Sequence, residues 1–213
     1  MARTATGPTR AGSPTLTAAD WAEAALQLIA EKGLRALTVS ALAARLGVTK
    51  GSFYWHFHGR SDLLVAALAR WEGGATVETM RGLDAVIDPR RRLELILDAA
   101  SRPPRSRSLY AALAEAAEDP IVRRVLNRVA AARVAYLEEC YSNLGCPADL
   151  ARTYAVFAYA AYRGLLQLAH EAPGALPADW SAYPAAVRKA LIPDPSPTRR
   201  AQRRQTRRTM SPT

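Results

Sequence analysis

The sequence predicts an all-α chain of about nine helices, an N-terminal three-helix helix-turn-helix unit followed by a larger helical domain. Three observations point there. Apolar residues recur at spacings of three and four, and no stretch alternates strictly between apolar and polar. Alanine and leucine dominate an apolar fraction of 49% while phenylalanine is scarce, and both favour helices because they lose little freedom there. Breakers then separate the periodic stretches: Gly33, Gly47, Pro89, Pro103-Pro104, Pro120, Gly145 with Pro147, and Pro173-Gly174.

Taken in order, the pattern predicts helices over 17–32, 39–46, 50–56, 61–82, 89–100, 106–117, 119–144, 147–171 and 179–190. The first presents Trp21, Ala25, Leu28 and Ile29 on one face and ends at Gly33. Thr38 suits the N-cap of the second, whose buried set is Val39, Leu42, Ala43 and Leu46. Gly47 breaks the chain and Val48 fills the gap. Thr49 is placed to cap a short third helix, KGSFYWHF, in which Phe53 and Phe57 share the inward face. Lys50, Ser52, Tyr54, Trp55 and His56 then point elsewhere. A helix, a tight Gly turn and a second helix form the unit whose second helix enters the major groove. Charge, hydroxyls and flat aromatic bodies on that helix suit phosphates and base edges. Ser61 is the expected cap of the fourth helix, with Leu63, Leu64, Ala67, Leu68 and Trp71 as its stripe and Arg60 just before it.

The segment LTVSALAARLGVTKGSFYWHFHGRSDLL closely resembles the DNA-binding domain of the TetR family of bacterial regulators. The agreement takes in the Gly-Val turn, the Tyr-Trp-His run, the phenylalanine after it, and a basic residue before a Leu-rich helix. The resemblance implies a homodimer on double-stranded DNA, with an unidentified small-molecule effector. Thr38 would contact phosphate, Lys50 and Ser52 would reach base edges, and Tyr54, Trp55, His56 and Arg60 would hold the backbone. Ser40, Thr49 and Gly51 complete the expected DNA face. Ser40 and Gly51 stand where the family's prototype carries a base-reading arginine and a proline, so an operator sequence does not carry over.

The expected division is an arm over 1–15, the DNA-binding domain over 16–62, an effector-binding and dimerisation domain over 63–192, and a basic tail over 193–213. Helix 147–171 is apolar nearly all round, so one face can serve its own core and another a twin subunit. Tyr154, Phe157, Ala158, Ala161 and Leu165, with Tyr183 and Val187 of the last helix, are the expected dimer interface; a central helix of a monomeric bundle is the competing reading. Trp71, Tyr110, Tyr136, Tyr162, Arg163, Gln167 and His170 are the expected pocket, though each also suits a core position. Arg163, a cation in an apolar helix, needs a partner: Glu138, Glu139 or an acidic ligand.

Composition narrows the function further. The net charge is +10, but residues 1–16 supply +2 and residues 193–213 supply +5, which leaves +3 for the rest. Arginine pairs at 199–200, 203–204 and 207–208 suit either a solvated tail, the favoured reading, or a helix formed on phosphates. Cys140 and Cys146 match no zinc spacing and read as reduced thiols, and His56 beside His58 does not share a helix face, so neither metal nor cofactor is expected. No nucleophile–base set or nucleotide loop is apparent, so an enzyme is not expected. Without a membrane span or secretory signal, the chain is expected in the cytoplasm. The leading expectation is a repressor released from a pseudo-palindromic operator by a small molecule. The alternative is a chromatin-binding or structural protein that uses the same DNA domain to recruit a protein partner.

Overall fold

The computed structural model describes residues 16–102 and 109–193, and among these there are ten α-helices and no strand. The arm over 1–15, the first residues of predicted helix 106–117, and the arginine-rich tail from residue 194 lie outside the described residues. The helices are α1 (Ala18–Lys32), α2 (Val39–Leu46), α3 (Lys50–Tyr54), α4 (Arg60–Glu72), α5 (Thr79–Asp84), α6 (Pro89–Ala100), α7 (Leu109–Glu115), α8 (Pro120–Leu144), α9 (Ala148–Glu171) and α10 (Tyr183–Leu191).

Local chemistry sets the boundaries. Thr17 and Asp20 form a capping box on α1: the Asp20 amide donates to the Thr17 hydroxyl at 3.3 Å, and the Thr17 amide donates back to Asp20 Oδ2 at 2.7 Å. The amide of Thr17, then its hydroxyl, hold the Asp20 carboxyl below the usual carboxylate range. Thr38 caps α2 by accepting from the Ala41 amide at 3.1 Å. Gly47 ends α2 in the left-handed region (φ 68°), and the amides of Val48 and Gly47 close back on the carbonyls of Ala43 and Ala44. Asp88 and Asp119 cap α6 and α8, each followed by a proline at the first helical position, where its missing N–H costs nothing.

Three predicted boundaries shift. Ser61 is not the cap of α4: Gly59 holds that position and Asp62 Oδ2 accepts from the His58 amide at 3.1 Å. The single helix expected over 61–82 is α4 and α5 joined by a π-helical segment, Gly73–Glu78, because two consecutive glycines let the backbone widen. The last helix begins at Tyr183 rather than near 179, since the Asp179 carboxylate takes the Ser181 amide and hydroxyl at 2.8 and 2.9 Å and folds a turn.

Two apolar clusters hold the bundle. The first gathers Trp21, Ile29, Leu37, Leu42, Phe53, Phe57, Leu64 and Leu68 of the N-terminal helices with Leu113 of α7 and Val122 and Val129 of α8. The N-terminal helices are therefore seated directly on α7 and the first half of α8. The second unites Leu93 and Leu97 of α6, Leu137 and Tyr141 of α8, Ala151, Ala155 and Ala158 of α9, and Leu191 and Ile192. Here the buried Tyr141 hydroxyl donates to the Leu191 carbonyl at 2.8 Å, which fixes the end of α10 against α8. Cys140 is buried beside it, and burial pushes its thiol up to about 11, so it stays protonated near neutral pH.

Candidate nucleic-acid interface and ligand cleft

The recognition segment is built outward from Phe53. Its ring is fully buried, edge-on to Trp21 at 5.4 Å and 5.6 Å from Phe57. That anchor turns the opposite face of α3 to solvent. Tyr54 is 63% exposed and Trp55 88%, so Trp55 does not pack against α1. Thr38, Ser40, Thr49, Lys50 and Gly51 are exposed, and Ser52 and His56 are half-buried. Thr49 occupies the N-cap of α3 without a side-chain capping bond, contrary to the expected role of its hydroxyl. Lys50 sits in the first turn of α3, where the helix dipole favours an anion, so its charge does not serve the helix. A Cβ on Gly51 would meet Thr49 Oγ1 at 3.6 Å, an ordinary contact, so the protein itself does not require glycine there.

Arg60 has an inward role that the sequence reading missed. Its Nε donates to the Leu37 carbonyl at 2.9 Å and a terminal nitrogen to the Leu34 carbonyl at 3.1 Å. It thus clasps the turn before α2 rather than extending toward a phosphate. Replacing Arg60 with Ala should cost about 1–3 kcal/mol of stability, because it strands two carbonyls satisfied by a cation. Thermal melts check this, and a variant of unchanged stability with weakened DNA binding would restore the phosphate role. Arg45, absent from the predicted face, is likewise engaged: it pairs with Glu31 through both terminal nitrogens at 2.7 Å, tying α2 to α1.

The helical domain contains a cleft of about 220 Å³ between α5, α6, α8 and α9. Met80, Leu83, Ile96, Leu97 and Leu137 form its apolar walls, and Tyr136, Tyr159, Tyr162 and Arg133 add polar atoms. The Tyr136 hydroxyl lies 2.9 Å from Asp84 Oδ1 and 3.3 Å from the Met80 carbonyl, so it grips α5 at both ends. At the cleft's edge the Tyr110 and Tyr159 hydroxyls meet at 2.7 Å, and Trp71 packs on Tyr110 with ring centroids 5.7 Å apart. Burial first, then the Tyr159 hydroxyl, hold the Tyr110 phenol well above its ordinary range.

The pattern described as "Bacterial regulatory proteins, tetR family" matches residues 22–67, which run from α1 into α4. The regulator SrpR of Pseudomonas putida is 40% identical over 47 residues, 22% of this chain and 22% of its own length. The DNA-binding domain is of the TetR family. The HTH-type transcriptional regulator BetI of Rhizobium meliloti (strain 1021) is 29% identical over 154 residues, 67% of this chain and 72% of its own. A transcriptional regulator of Rhodococcus sp. Rha1 shares the fold with a TM-score of 0.65 at 24% identity, over 83% of this chain and 92% of that one. Residues 22–67 thus carry a DNA-binding domain of TetR type, and the chain, which spans about a fifth of the length of SrpR, shares its helical fold with the Rhodococcus protein.

Against that architecture, two of the expected pocket residues line the cleft, Tyr136 and Tyr162. Trp71, Tyr110 and Arg163 form a second layer behind it. Arg163 needs neither Glu138 nor Glu139: it lies 4.1 Å from the Tyr110 ring centroid and donates to the Tyr110 hydroxyl. Gln167 and His170 are surface residues instead. Gln167 bonds Glu171, and His170 Nε2 lies 2.6 Å from Glu115 Oε1, joining α9 to α7. Tyr159, absent from the expected pocket, also lines the cleft. The expected dimer set is also rotated. Ala158 and Leu165 are buried within one chain, Tyr154 stacks on Tyr141 at 5.4 Å, and Ala161 and Val187 pack on the second cluster. Tyr183 is half-buried, edge-on to Trp180 at 4.9 Å. Phe157 of the expected set does face outward, 56% exposed, and shares that face of α9 with Leu150, Ala160, Gly164 and Leu168.

Proposed function

We propose that this regulator is a homodimeric repressor which occupies a pseudo-palindromic operator and leaves it when a small molecule fills the cleft. The observation that carries the DNA half is the outward face of α3: Tyr54, Trp55 and Lys50 stand in solvent while Phe53 beneath them is locked in the core. Thr38, Ser40, Thr49, Gly51, Ser52 and His56 surround them and supply phosphate and base-edge contacts. Pairing follows from α9. Phe157, Ala160, Gly164 and Leu168 recur at spacings of three and four and make an apolar seam narrow enough for a second copy of the helix to approach closely.

Release requires that the ligand prefer a dimer whose recognition helices are wrongly separated. The supporting path is short. Met80 and Leu83 of α5 form one wall of the cleft, and α5 joins α4 through the π-helical segment. α4 is in turn tied to α8 by the Arg128–Glu72 pair and to α1 by Arg70–Glu23. A body that displaces α5 therefore acts on the helix that carries α1 to α3. No helix among the described residues is long and apolar enough to cross a membrane, and the site of action we propose is the cytoplasm. The comparisons lend nothing to recruitment of a protein partner.

Selecting duplexes from a random pool tests the reading. Recovered sequences should share an inverted repeat with half-sites about one helical turn (about 34–36 Å) or somewhat more apart. Complexes should sediment with an even number of subunits. Recovery of unrelated sequences at uniform affinity would support a dispersed architectural role and end the repressor reading.

A further inference from the structure

The lining of the cleft limits the chemistry of what can fill it, and this step rests on reading it as the effector site. The charged groups at and behind its polar end are already engaged. The Arg133 guanidinium lies 5.6 Å from the Tyr110 ring centroid and 5.9 Å from that of Tyr162, and Arg133 makes a further interaction beside these. Asp84, beyond the Tyr136 hydroxyl, faces Arg92 at 3.9 Å. Of the phenols, Tyr136 is bound to Asp84 at 2.9 Å and Tyr159 to the Tyr110 hydroxyl at 2.7 Å. Tyr162 differs: it lines the same cleft, and among the described residues nothing bonds its hydroxyl. The volume of about 220 Å³ exceeds the roughly 150 Å³ of an apolar cavity that holds benzene and falls below the roughly 300–1,000 Å³ of sites for drug-sized ligands.

We infer that the effector is an uncharged molecule of one ring with a short apolar substituent, carrying a single hydroxyl that bonds Tyr162. A charge taken out of water must meet a partner charge or several hydrogen bonds, or its lost hydration is not offset. A carboxylate would have to draw Arg133 away from two rings and its other contact before pairing with it. An ammonium ion would find the faces of Tyr110 and Tyr162 occupied by a cation, which would repel it. A neutral hydroxyl needs one donor or one acceptor, and the Tyr162 phenol can serve as either. The ring itself gains from leaving water against Leu83, Ile96 and Leu137, and the Met80 thioether suits an aromatic edge. Burial and the Asp84 hydrogen bond hold the Tyr136 phenol well above its ordinary range, so it adds no negative charge that could receive a cation.

The test uses the full chain and three probes with one body: para-propylphenol, para-propylbenzoate and para-propylphenyltrimethylammonium. Calorimetry should show the phenol binding about tenfold or more tightly than either ion, the least expected when a charge is buried without compensation. Tyr162→Phe keeps the ring and deletes the hydroxyl. It should weaken the phenol by about threefold to tenfold, as for one neutral hydrogen bond, and leave the hydrocarbon propylbenzene unchanged. Binding of either ion as tight as that of the phenol, a phenol affinity unmoved by Tyr162→Phe, an equal loss for propylbenzene, or no phenol binding at millimolar concentration would each overturn the inference. Repeating the titration on the complex with a selected operator duplex separates it from the reading beneath. Phenol held through Tyr162 with unchanged DNA affinity would sink the effector role and leave the neutral site standing. Release of DNA by the benzoate or the ammonium in preference to the phenol would do the reverse.

Discussion

Replacing Phe53 with Ala should destabilise the protein by about 3–5 kcal/mol, the range for deleting a buried aromatic ring. Phe53 has no exposed surface and is the shared neighbour of Trp21, Tyr54 and Phe57 at centroid distances of 5.4, 5.2 and 5.6 Å. The pairs with Trp21 and Tyr54 are edge-to-face, and such pairs add about 0.5–1.5 kcal/mol each beyond the area they bury. Against a total stability on the order of 5–15 kcal/mol, the loss would leave α3 without its only full anchor. α3 is five residues long and cannot hold itself as a helix. Phe53→Leu, which keeps most of the volume, should cost less than half as much. Urea unfolding followed by tryptophan fluorescence checks both, because Trp21 packs on the altered side chain while Trp55 reports from solvent. A Phe53→Ala protein as stable as the parent would mean that α3 is held by something other than this ring.

Much of the N-terminal domain was legible in the sequence because its signals are local. Thr38, Gly47 and the spacing of Leu42 and Ala43 each act within a single turn of chain, and the structure uses all of them in the expected roles. Arg60 was misread since its partners, the carbonyls of Leu34 and Leu37, lie more than twenty residues away and carry no side-chain signature. The helical domain was harder for a different reason. α9 is apolar nearly all round, so periodicity cannot choose which face turns inward. That choice is made by Tyr141, whose ring stacks on Tyr154 and whose hydroxyl is committed to α10, and it rotates the solvent-facing seam to Phe157 and Leu168. Likewise His170 looked like a pocket residue until α7 brought Glu115 to it.

The break between α4 and α5 alters how a signal would travel. One continuous helix over 61–82 would act as a rigid lever, so that any push at the cleft reached α1 undiminished. A π-helical segment is a helix with weaker hydrogen-bond geometry, common where helices bend. It places a compliant joint beside the Arg128–Glu72 pair, which holds the end of α4 to α8. On the proposed mechanism, motion of α5 would be resisted by that contact together with the Tyr136 grip on α5, and the two would set the threshold for release.

Removing Lys50 or Tyr54 should lower operator affinity by about 1–3 kcal/mol each, while the fold and the dimer persist. Lys50 is exposed and supports no core contact, whereas Tyr54 is 63% exposed yet lies edge-on to Phe53 at 5.2 Å, so thermal melts of the Tyr54 variant accompany its binding measurement. The two lie four residues apart on α3, close enough to share a phosphate or a base step, and the double variant need not show the sum. Salt dependence separates their roles. If Lys50 neutralises a phosphate, Lys50→Ala should reduce the slope of log affinity against log salt by about 0.9 and weaken all sequences alike. If it reads a base edge, the loss should fall on the operator and spare random duplex. Tyr54→Phe keeps the ring and deletes a neutral donor, so its salt slope should match the parent's whatever the affinity. Gel-shift titrations at several salt concentrations measure all of these, and two alanine variants that bind operator as tightly as the parent would remove α3 from the DNA interface.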